Sequence, residues 1–396
     1  MEINFHYFAI KTLALRAGFN EEEAQTIATY SQMVDDFTDF YRFVAYKVPD
    51  YARHLAVPLV GDYYFFTPVT TGFPGYSDMY KISYEGGQKA INAPFHFIPY
   101  RKKLNENVTS RAEWRTMPAR MDTNSLMQQL MNWFLHNDFG AEEPKLMYFG
   151  MLLHTFADTY AHQMFSGLNG WENECTFENV YNWDDYNSQN NHAKDQGFYQ
   201  IFWPIGHARA GHIPDDTTVR FAIKMKDYRN EDIIYQRSNP FEYINASKEI
   251  YSIMRLYLGK DPLSDDFNLP FNEWDSFADP LCVALRDKNQ ASQEGTWTEV
   301  FQKAGYKYNY DANSVFNSNA VHNTPNEVLT IVEKAANVAP LTLPSLSYTM
   351  PDHYYRYNVF ADKVRNFVNG QNLAEIQLRD IKETIEQIKK ELNYEK

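Results

Sequence analysis

Apolar residues recur at helical spacing in four stretches of the first 165 residues. Asn4 can cap the first stretch, which Gly18 ends, and Asn20 caps the second, NEEEAQTIATYSQMVDDF, whose three early glutamates suit the positive end of a helix dipole. The other two run from about Thr123 to His136 and from about Glu142 to Phe165. The pattern predicts an N-terminal helical hairpin followed by two further helices.

The helical spacing is interrupted between about residues 57 and 100, where Gly, Pro, Tyr and Thr are frequent. This composition predicts an irregular or short-strand insertion, with the EGG at 85–87 as a hairpin turn. The polar run 171–196 predicts a loop, and Pro204 suits the first turn of a short helix. Asp215 or Asp216 is expected to cap a helix through about Tyr228, and another helix is expected over about 240–258.

The last part of the chain predicts loops with one or two helices over 259–325, a short helix over 326–336 and an extended linker with three prolines over 337–353. Five apolar residues then alternate at steps of three and four: Leu378, Ile381, Ile385, Ile388 and Leu392. Two such heptads suit either a terminal helix packed on the protein body or the seam of a homodimer. We expect a helical domain over 1–260, a loop-rich and helical extension over 261–370 and a C-terminal amphipathic helix over 371–394.

The formal net charge of −14 leaves no basic excess for an extended nucleic-acid surface or an anionic membrane. Cys175 and Cys282 are the only cysteines, which excludes a disulfide framework and a cysteine-based zinc ribbon. The N-terminal residues are typical of an amphipathic helix and not of a signal peptide, and no apolar run reaches the roughly 18 residues of a membrane span. We expect a cytoplasmic protein without a transmembrane segment, with leaderless export left open.

The stretch HTFADTYAH, residues 154–162, holds two of the 11 histidines with an aspartate midway between them. At steps of four residues on a helix, His154, Asp158 and His162 share one face over two turns. Imidazole and carboxylate together are the ligands that zinc and similar metals accept. The row is therefore either a set of metal ligands or a hydrogen-bonded row in the core.

Further candidate ligands lie elsewhere in the chain. His6 near the start of the first helix and Asp35 with Asp36 near the end of the second could meet if the hairpin is antiparallel. His96 lies between two phenylalanines, so it needs a buried partner, which could be a metal or a backbone carbonyl. In GHARAGH, His207 is the expected ligand, and His212 is expected to be a cap or a residue that supports the ligands.

The mixture of a His-x-x-x-Asp helix, an early histidine, an early aspartate and later histidines resembles the zinc-dependent phospholipase C and P1-type nuclease superfamily. The strings FHYFAIKTLALRAGF, YSQMVDDFTD, PFHFIP and HTFADTYAHQMFSG also resemble an uncharacterised bacterial family that we take as a distant branch of that fold. The resemblance implies a mainly α, multi-helix bundle with the 57–100 segment inserted. It also implies a metal centre with the ligands His6, Asp35, His96, His154, Asp158, His162 and His207.

The function expected from this resemblance is metal-dependent hydrolysis of a small phosphoester of phospholipid or nucleotide type. Secreted members of the superfamily use a mature N-terminal Trp as a ligand, whereas this chain begins Met1-Glu2, so we expect one or two divalent ions, zinc above all. Asp35 or Asp36, whichever is less committed to metal, is the candidate to orient or deprotonate the attacking water. The alternative is a non-catalytic helical protein held by a structural metal or by hydrogen bonds, with the C-terminal seam mediating assembly.

Overall fold

A computed structural model of the chain describes residues 2–39, 42–59, 61–72, 84–140, 143–182, 185–189, 200–261, 272–286, 293–316 and 349–391. The described part is mainly helical. Its helices are α1 (Asn4–Ala9, π-helical, continuing as Ile10–Ala17), α2 (Glu21–Asp36), α3 (Glu85–Gly87, continuing as the π-helical Gln88–His96), α4 (Leu126–His136), α5 (Lys145–Ala161), α6 (Asn239–Tyr257), α7 (Asn272–Leu285), α8 (Gln293–Val300), α9 (Ala312–Phe316), α10 (Asp352–Asn369) and α11 (Leu373–Glu391). Short 3-10 turns occur at Asp50–Leu55, Arg111–Trp114, Trp171–Asn173, Ala208–Ala210 and Gln302–Ala304.

Two small antiparallel sheets accompany the helices. The first has the strand order β1-β3-β2 and is built from β1 (Phe43–Tyr46), β2 (Ala56–Pro58) and β3 (Tyr63–Phe66). The second has the order β5-β4-β6-β7 and is built from β4 (Cys175–Asn182), β5 (Asp185–Gln189), β6 (Val219–Lys226) and β7 (Asp232–Ser238). The mainly α class expected from the sequence is confirmed.

The N-terminal helical hairpin has the local signals that the sequence carries. Gly18 ends α1 in the left-handed conformation with φ 113°, which glycine adopts without a steric penalty. Asn20 begins α2 with a reciprocal capping box, in which its side chain accepts from Glu23 N and the Glu23 side chain accepts from Asn20 N. Asn4, by contrast, lies inside the first helical turn and does not cap it.

Several predicted elements differ in the structure. The EGG at 85–87 is the first turn of α3 and not a hairpin turn. The run 171–196, predicted as a loop, contains β4 and β5 within its described part. The helix predicted from Asp215 or Asp216 to Tyr228 is the strand β6, whose buried and half-buried residues alternate strictly. Pro204 lies in a turn, and the nearest helical residues form the 3-10 turn Ala208–Ala210.

α5 lies at the centre of the main hydrophobic core, and every residue from Met147 to Ala161 is buried. It packs closely on α2: a Cβ added at Gly150 would lie 2.3 Å from the carbonyl oxygen of Ile27, so only glycine allows this approach. The core takes residues from Phe5 in α1 to Ala374 in α11. The division of the chain near residue 260 stays a prediction.

The C-terminal helix α11 packs on the first sheet. Leu378 and Ile385 are buried in a small cluster with Val44, Val57 and Phe65, so this part of the apolar seam is used within the chain. No described helix is long and apolar enough to cross a membrane. The helix predicted over 326–336, most of the linker predicted over 337–353 and the seam residue Leu392 lie outside the described residues.

Candidate metal centre

Five predicted ligands meet where α1, α2, α3 and α5 approach one another, and we name them the helix group: His6, Asp35, His96, His154 and Asp158. Asp158 is their common neighbour. Its Oδ1 lies 3.1 Å from Nε2 of His6, and its Oδ2 lies 3.2 Å from both Nδ1 of His96 and Nε2 of His154. The imidazole rings of His6 and His154 stack with their centroids 3.7 Å apart. Histidines from α1, α3 and α5 thus face one carboxylate, that of Asp158 in α5.

Asp35 adds a second carboxylate to the helix group. Its Oδ1 lies 3.7 Å from Nδ1 of His96 and 3.7 Å from Nε2 of His154, and its Oδ2 lies 4.0 Å from Nε2 of His6. The Nδ1 of His96 and the Nε2 of His154 are 3.3 Å apart. Zinc bonds of about 2.0–2.1 Å in a tetrahedron place neighbouring donor atoms about 3.4 Å apart. The donor spacing in the helix group therefore fits a small divalent cation.

Some ring nitrogens of the helix group have no hydrogen-bond partner of good geometry. Nε2 of His96 donates to the carbonyl of Thr71 at 2.8 Å, which leaves Nδ1 to face the two carboxylates. Neither ring nitrogen of His6 makes a hydrogen bond of acceptable geometry within the described part of the chain, although Nε2 lies 3.1 Å from Oδ1 of Asp158. Nδ1 of His154, the ring nitrogen that does not face Asp158, is also unsatisfied. Buried polar atoms are almost always satisfied in proteins, so the nitrogens of His6 could accommodate a cation beside Asp158.

The carbonyl of Thr71 is held in place from two sides. The backbone N–H of Thr71 donates to Phe37 O at the end of α2. The Oγ1 of Thr71 donates to Val34 O and lies 2.8 Å from Oη of Tyr357 in α10. A Cβ added at the neighbouring Gly72 would lie 1.8 Å from the carbonyl oxygen of Asp35. Residues 71 and 72 are thus packed against the ligand-bearing end of α2.

Three more residues form a second set, which we name the loop group: His162, His207 and Asp215. His162 follows the last residue of α5, and the other two lie in turns between the strands β5 and β6. Nε2 of His162 lies 3.1 Å from Oδ1 of Asp215, and Nε2 of His207 lies 3.2 Å from Oδ2. Nδ1 of His162 donates to the carbonyl of His96 at 2.6 Å, which connects the two groups.

Burial and neighbouring charges shift the pKa values of both groups. Burial, followed by the neighbouring His154, lowers the pKa of His6 to about 3, so His6 is neutral at physiological pH. Burial would raise the pKa of Asp158, but His162, His154 and His6 outweigh it, and the pKa lies well below the usual range. The pKa of Asp215 is likewise well below its usual range, because His207 and His162 outweigh burial. Both carboxylates are therefore ionised in the core.

The pKa values of two other buried histidines shift in opposite directions. Burial lowers the pKa of His96, but Asp158 and Asp35 outweigh it, so the net shift is upward. Burial also lowers the pKa of His162, and there it exceeds the opposing effect of Asp158 and Asp215. A neutral His162 is in the protonation state that a metal ligand requires.

The structure brings all seven predicted ligands together and adds Asp215, which the sequence analysis assigned only as a helix cap. The weak signal for it was the acidic pair that ends GHARAGHIPDD. Asp36 lies outside both groups: its carboxylate accepts from Oη of Tyr310 at 2.5 Å and from Nε2 of Gln32 at 3.3 Å, and burial raises its pKa. His212 is exposed.

The side chains of the two groups differ in their exposure to solvent. The side chains of His6, His154 and Asp158 are at most 1% exposed, whereas that of Asp35 is 30% exposed and that of His207 is 17% exposed. A solute would therefore meet the helix group at Asp35 and the loop group at His207.

Comparison with known proteins gives one match. No curated protein and no solved structure is similar enough to this chain to be matched. The profile of a family of unknown function, DUF6765, matches residues 1–371. With almost the whole chain matched, the protein belongs to the DUF6765 family.

Proposed function

We propose that the protein is a metal-dependent hydrolase of small phosphoesters whose helix group and loop group together hold divalent cations, with zinc as the first candidate. In this proposal one ion is held by four residues of the helix group, namely Asp35, His96, His154 and Asp158. His6 contributes its Nε2 beside Oδ1, the second carboxylate oxygen of Asp158. The loop group offers a separate site. The number of ions in this proposal is one or two. The order of the ligands along the chain supports the resemblance to the phospholipase C and P1-type nuclease superfamily.

The observation that carries the proposal is the hydrogen bonding of the loop group. Nδ1 of His162 faces the carbonyl of His96, and Nδ1 of His207 faces the carbonyl of Gly211 at 2.8 Å. A carbonyl oxygen only accepts, so both protons lie on Nδ1 and, in a neutral imidazole, each Nε2 carries a lone pair. Both lone pairs point at the carboxylate of Asp215. Such an arrangement is repulsive unless a cation lies between these atoms or both rings become imidazolium ions.

The helix group supports the same view. His96 also donates one N–H to a carbonyl and turns its other nitrogen to a carboxylate, and His6 with its pKa near 3 does not supply a compensating positive charge. Carboxylates that remain ionised in a buried site need positive partners, and divalent ions provide them. A histidine that binds a metal through one ring nitrogen usually donates the N–H of the other to a carbonyl or carboxylate. His96, His162 and His207 each donate one N–H to a carbonyl in this way.

When bound, divalent ions would supply Lewis acidity, which activates water and neutralises the charge that develops on a phosphoryl group. The chain itself fixes the ring orientation of the histidines through Thr71 O, His96 O and Gly211 O. Asp35 is the most exposed ligand and lies where substrate and water would enter, so we assign it the role of orienting the water. Asp36 has its own hydrogen-bond donors and is the weaker candidate for that role.

The proposed substrate is a small phosphoester, of phospholipid head-group or nucleotide type. Most ligands are buried, so only a small group can approach the centre, and the net charge of −14 disfavours a long polyanion. We also propose a cytoplasmic location, since the free thiols of Cys175 and Cys282 suit a reducing compartment. Fractionation of cells that produce the native protein tests the location.

Metal content and hydrolysis test the proposal together. The protein is purified without a metal-affinity tag, analysed for metal, and assayed with added zinc or manganese on a generic phosphodiester, a phospholipid and a dinucleotide. We expect bound metal and hydrolysis of at least one substrate. His154→Ala should lose hydrolysis and the metal of the helix group, whereas His54→Ala, at a histidine outside the two groups that pairs with Asp362, should keep both. Bound metal with no hydrolysis of any substrate would contradict the catalytic proposal.

A non-catalytic role has one observation in its favour, which is the near-complete burial of the helix group. His6, His154 and Asp158 are fully buried, as is usual for a structural site with a closed set of ligands. This alternative expects metal content with no hydrolysis, and a lower melting temperature in Asp158→Ala as the only consequence. Activity lost in an Asp158→Ala protein of unchanged melting temperature would argue against it.

A further inference from the structure

Arg237, at the end of β7, connects the two backbone segments that carry ligands of the loop group. The residue is buried, with 5% of its surface exposed. Its Nη1 donates to the carbonyls of Tyr160 at 3.2 Å and Ala161 at 2.5 Å, which end α5, and its Nη2 donates to the carbonyl of Pro214 at 2.5 Å. Ala161 directly precedes the ligand His162, and Pro214 directly precedes Asp215.

Two residues that follow Arg237 hold the same turn. Nδ2 of Asn239 donates to the carbonyls of Ile213, Pro214 and Asp216, with Asp216 closest at 2.6 Å. Oη of Tyr243 donates to the carbonyl of Asp215 at 2.8 Å. Nε of Arg237 donates to Oδ1 of Asn239 at 2.6 Å, which ties the two side chains together. The segment RSNPFEY, residues 237–243, thus fixes the backbone on both sides of Asp215.

The guanidinium group suits this task because its N–H donors lie in one plane at fixed angles. The last carbonyls of a helix have no partner within the helix, and a cation at that end also interacts favourably with the helix dipole. Arg237 satisfies such carbonyls at the end of α5 and at the same time holds the turn of Asp215. Arg237 thus bonds to both backbone segments, so the 3.1 Å separation between His162 Nε2 and Asp215 Oδ1 depends on its side chain.

We infer that Arg237 is a positioning residue that aligns His162 and Asp215 for the binding of a divalent cation by the loop group. The inference rests on the proposed metal-dependent function, but its structural part concerns the alignment of two side chains and is testable without metal. A lysine at position 237 would keep the positive charge and the contact with one carbonyl. It would lose the fixed fork that joins α5 to the turn of Asp215.

The matched control is Arg115, a second buried arginine whose side chain also donates to a backbone carbonyl. It is 5% exposed, and its Nε and Nη2 donate to the carbonyl of Glu172 at 3.2 and 2.6 Å. Glu172 is not a ligand of either group. A general effect of replacing a buried arginine would therefore appear in both Arg115→Lys and Arg237→Lys.

Two measurements on wild type, Arg237→Lys and Arg115→Lys test the inference. Zinc is first titrated into metal-stripped protein. In Arg237→Lys we expect one class of site to weaken at least tenfold, within the range usual for residues that support metal ligands, while the other class keeps its affinity. Wild-type affinities at every site in Arg237→Lys, or an equal loss in Arg115→Lys, would overturn the inference.

Nitrogen NMR of histidine-labelled, metal-stripped protein separates the inference from the proposed function. Ring signals are assigned by single substitutions, and we expect those of His162 and His207 to move in Arg237→Lys while those of His6 and His154 stay in place. Unmoved signals of His162 and His207 would overturn the inference. If the wild type binds no zinc, the proposed function fails on its own, and the NMR comparison alone decides whether Arg237 aligns these side chains.

Discussion

Replacing Asp158 by asparagine tests the centre most directly. The two side chains have nearly the same shape, so the packing of α5 is kept while the charge and one oxygen donor are removed. Asp158 is fully buried and contacts three ligand nitrogens at 3.1–3.2 Å, more than any other ligand. If these atoms bind a cation, the substitution should remove most of the stabilisation that this cation gives to the folded protein.

The size of this effect follows from linkage. A ligand present at 100 times its dissociation constant stabilises the folded state by about 2.7 kcal/mol. An entropy of unfolding of about 2.1 cal/mol/K per residue amounts to about 0.8 kcal/mol/K for 396 residues. Zinc bound at the helix group should therefore raise the melting temperature of the wild type by about 3 °C relative to protein in EDTA, and Asp158→Asn should reduce this contribution to less than about 1 °C.

The assay is differential scanning calorimetry of both proteins in zinc and in EDTA. The control is Asp362→Asn, which alters a buried aspartate that accepts hydrogen bonds from Arg365 and Asn366 outside the metal centre. It should lower the melting temperature equally in both solutions and keep the zinc-dependent shift. A wild type that melts at the same temperature in zinc and EDTA, or an Asp158→Asn protein with the full shift, would refute the reasoning.

Three further outcomes are expected. Asp35→Asn should weaken zinc binding at least tenfold, whereas Asp36→Asn should keep the wild-type affinity because the Asp36 carboxylate accepts a hydrogen bond from Tyr310. Competition with a chelator measures both affinities. Loss of zinc in Asp36→Asn would disprove that Asp35, and not Asp36, is the ligand. In EDTA, the pKa of His6 is about 3 in the folded state and about 6.5 in the unfolded state, so protonation favours unfolding. The free energy of unfolding should therefore fall by up to about 1.4 kcal/mol per pH unit as the pH drops from 6.5 to 3. Urea unfolding should show this slope reduced in His6→Asn, and an unchanged slope would count against it. Leu378 is 1% exposed and packs against the first sheet, so Leu378→Ala should lower the free energy of unfolding in urea by about 2–5 kcal/mol. The molecular mass in light scattering should not change, and a change of mass would favour the dimer seam.

The sequence predicted those elements whose signals are local. α1 and α2 carry a glycine stop and a capping box, so the bounds at which these signals lie could be predicted closely. α5 is apolar over four turns and was predicted as a helix, but its ends, Lys145 and Ala161, lie three and four residues inside the predicted ones. β4 was missed because its alternation of apolar residues breaks at a β-bulge between Phe177 and Asn179. β6 alternates strictly, but the acidic pair before it suggested a helix cap. Here the two-residue period was the better guide.

No local signal predicted the two π-helical stretches, although each carries a candidate ligand. His6 lies in the first, and His96 ends the second, which also contains Pro94. π-helical turns are rare, and they often occur at functional sites because packing and ligand contacts, not intrinsic preference, stabilise them. The turn of His6 is buried against α2, α7 and α8, which the sequence of α1 alone does not encode.

The difference between the two ligand groups has the same physical origin. In the helix group, His154 and Asp158 are one turn apart on α5, so the helical period alone places them together, and the close α2–α5 packing at Gly150 adds Asp35. In the loop group, Asp215 lies 53 residues after His162, and no period relates them. Their separation depends instead on side-chain bonds to backbone carbonyls, above all those of Arg237. A change in the turn of Asp215 should therefore weaken the loop group while the helix group, held by core packing, keeps its geometry.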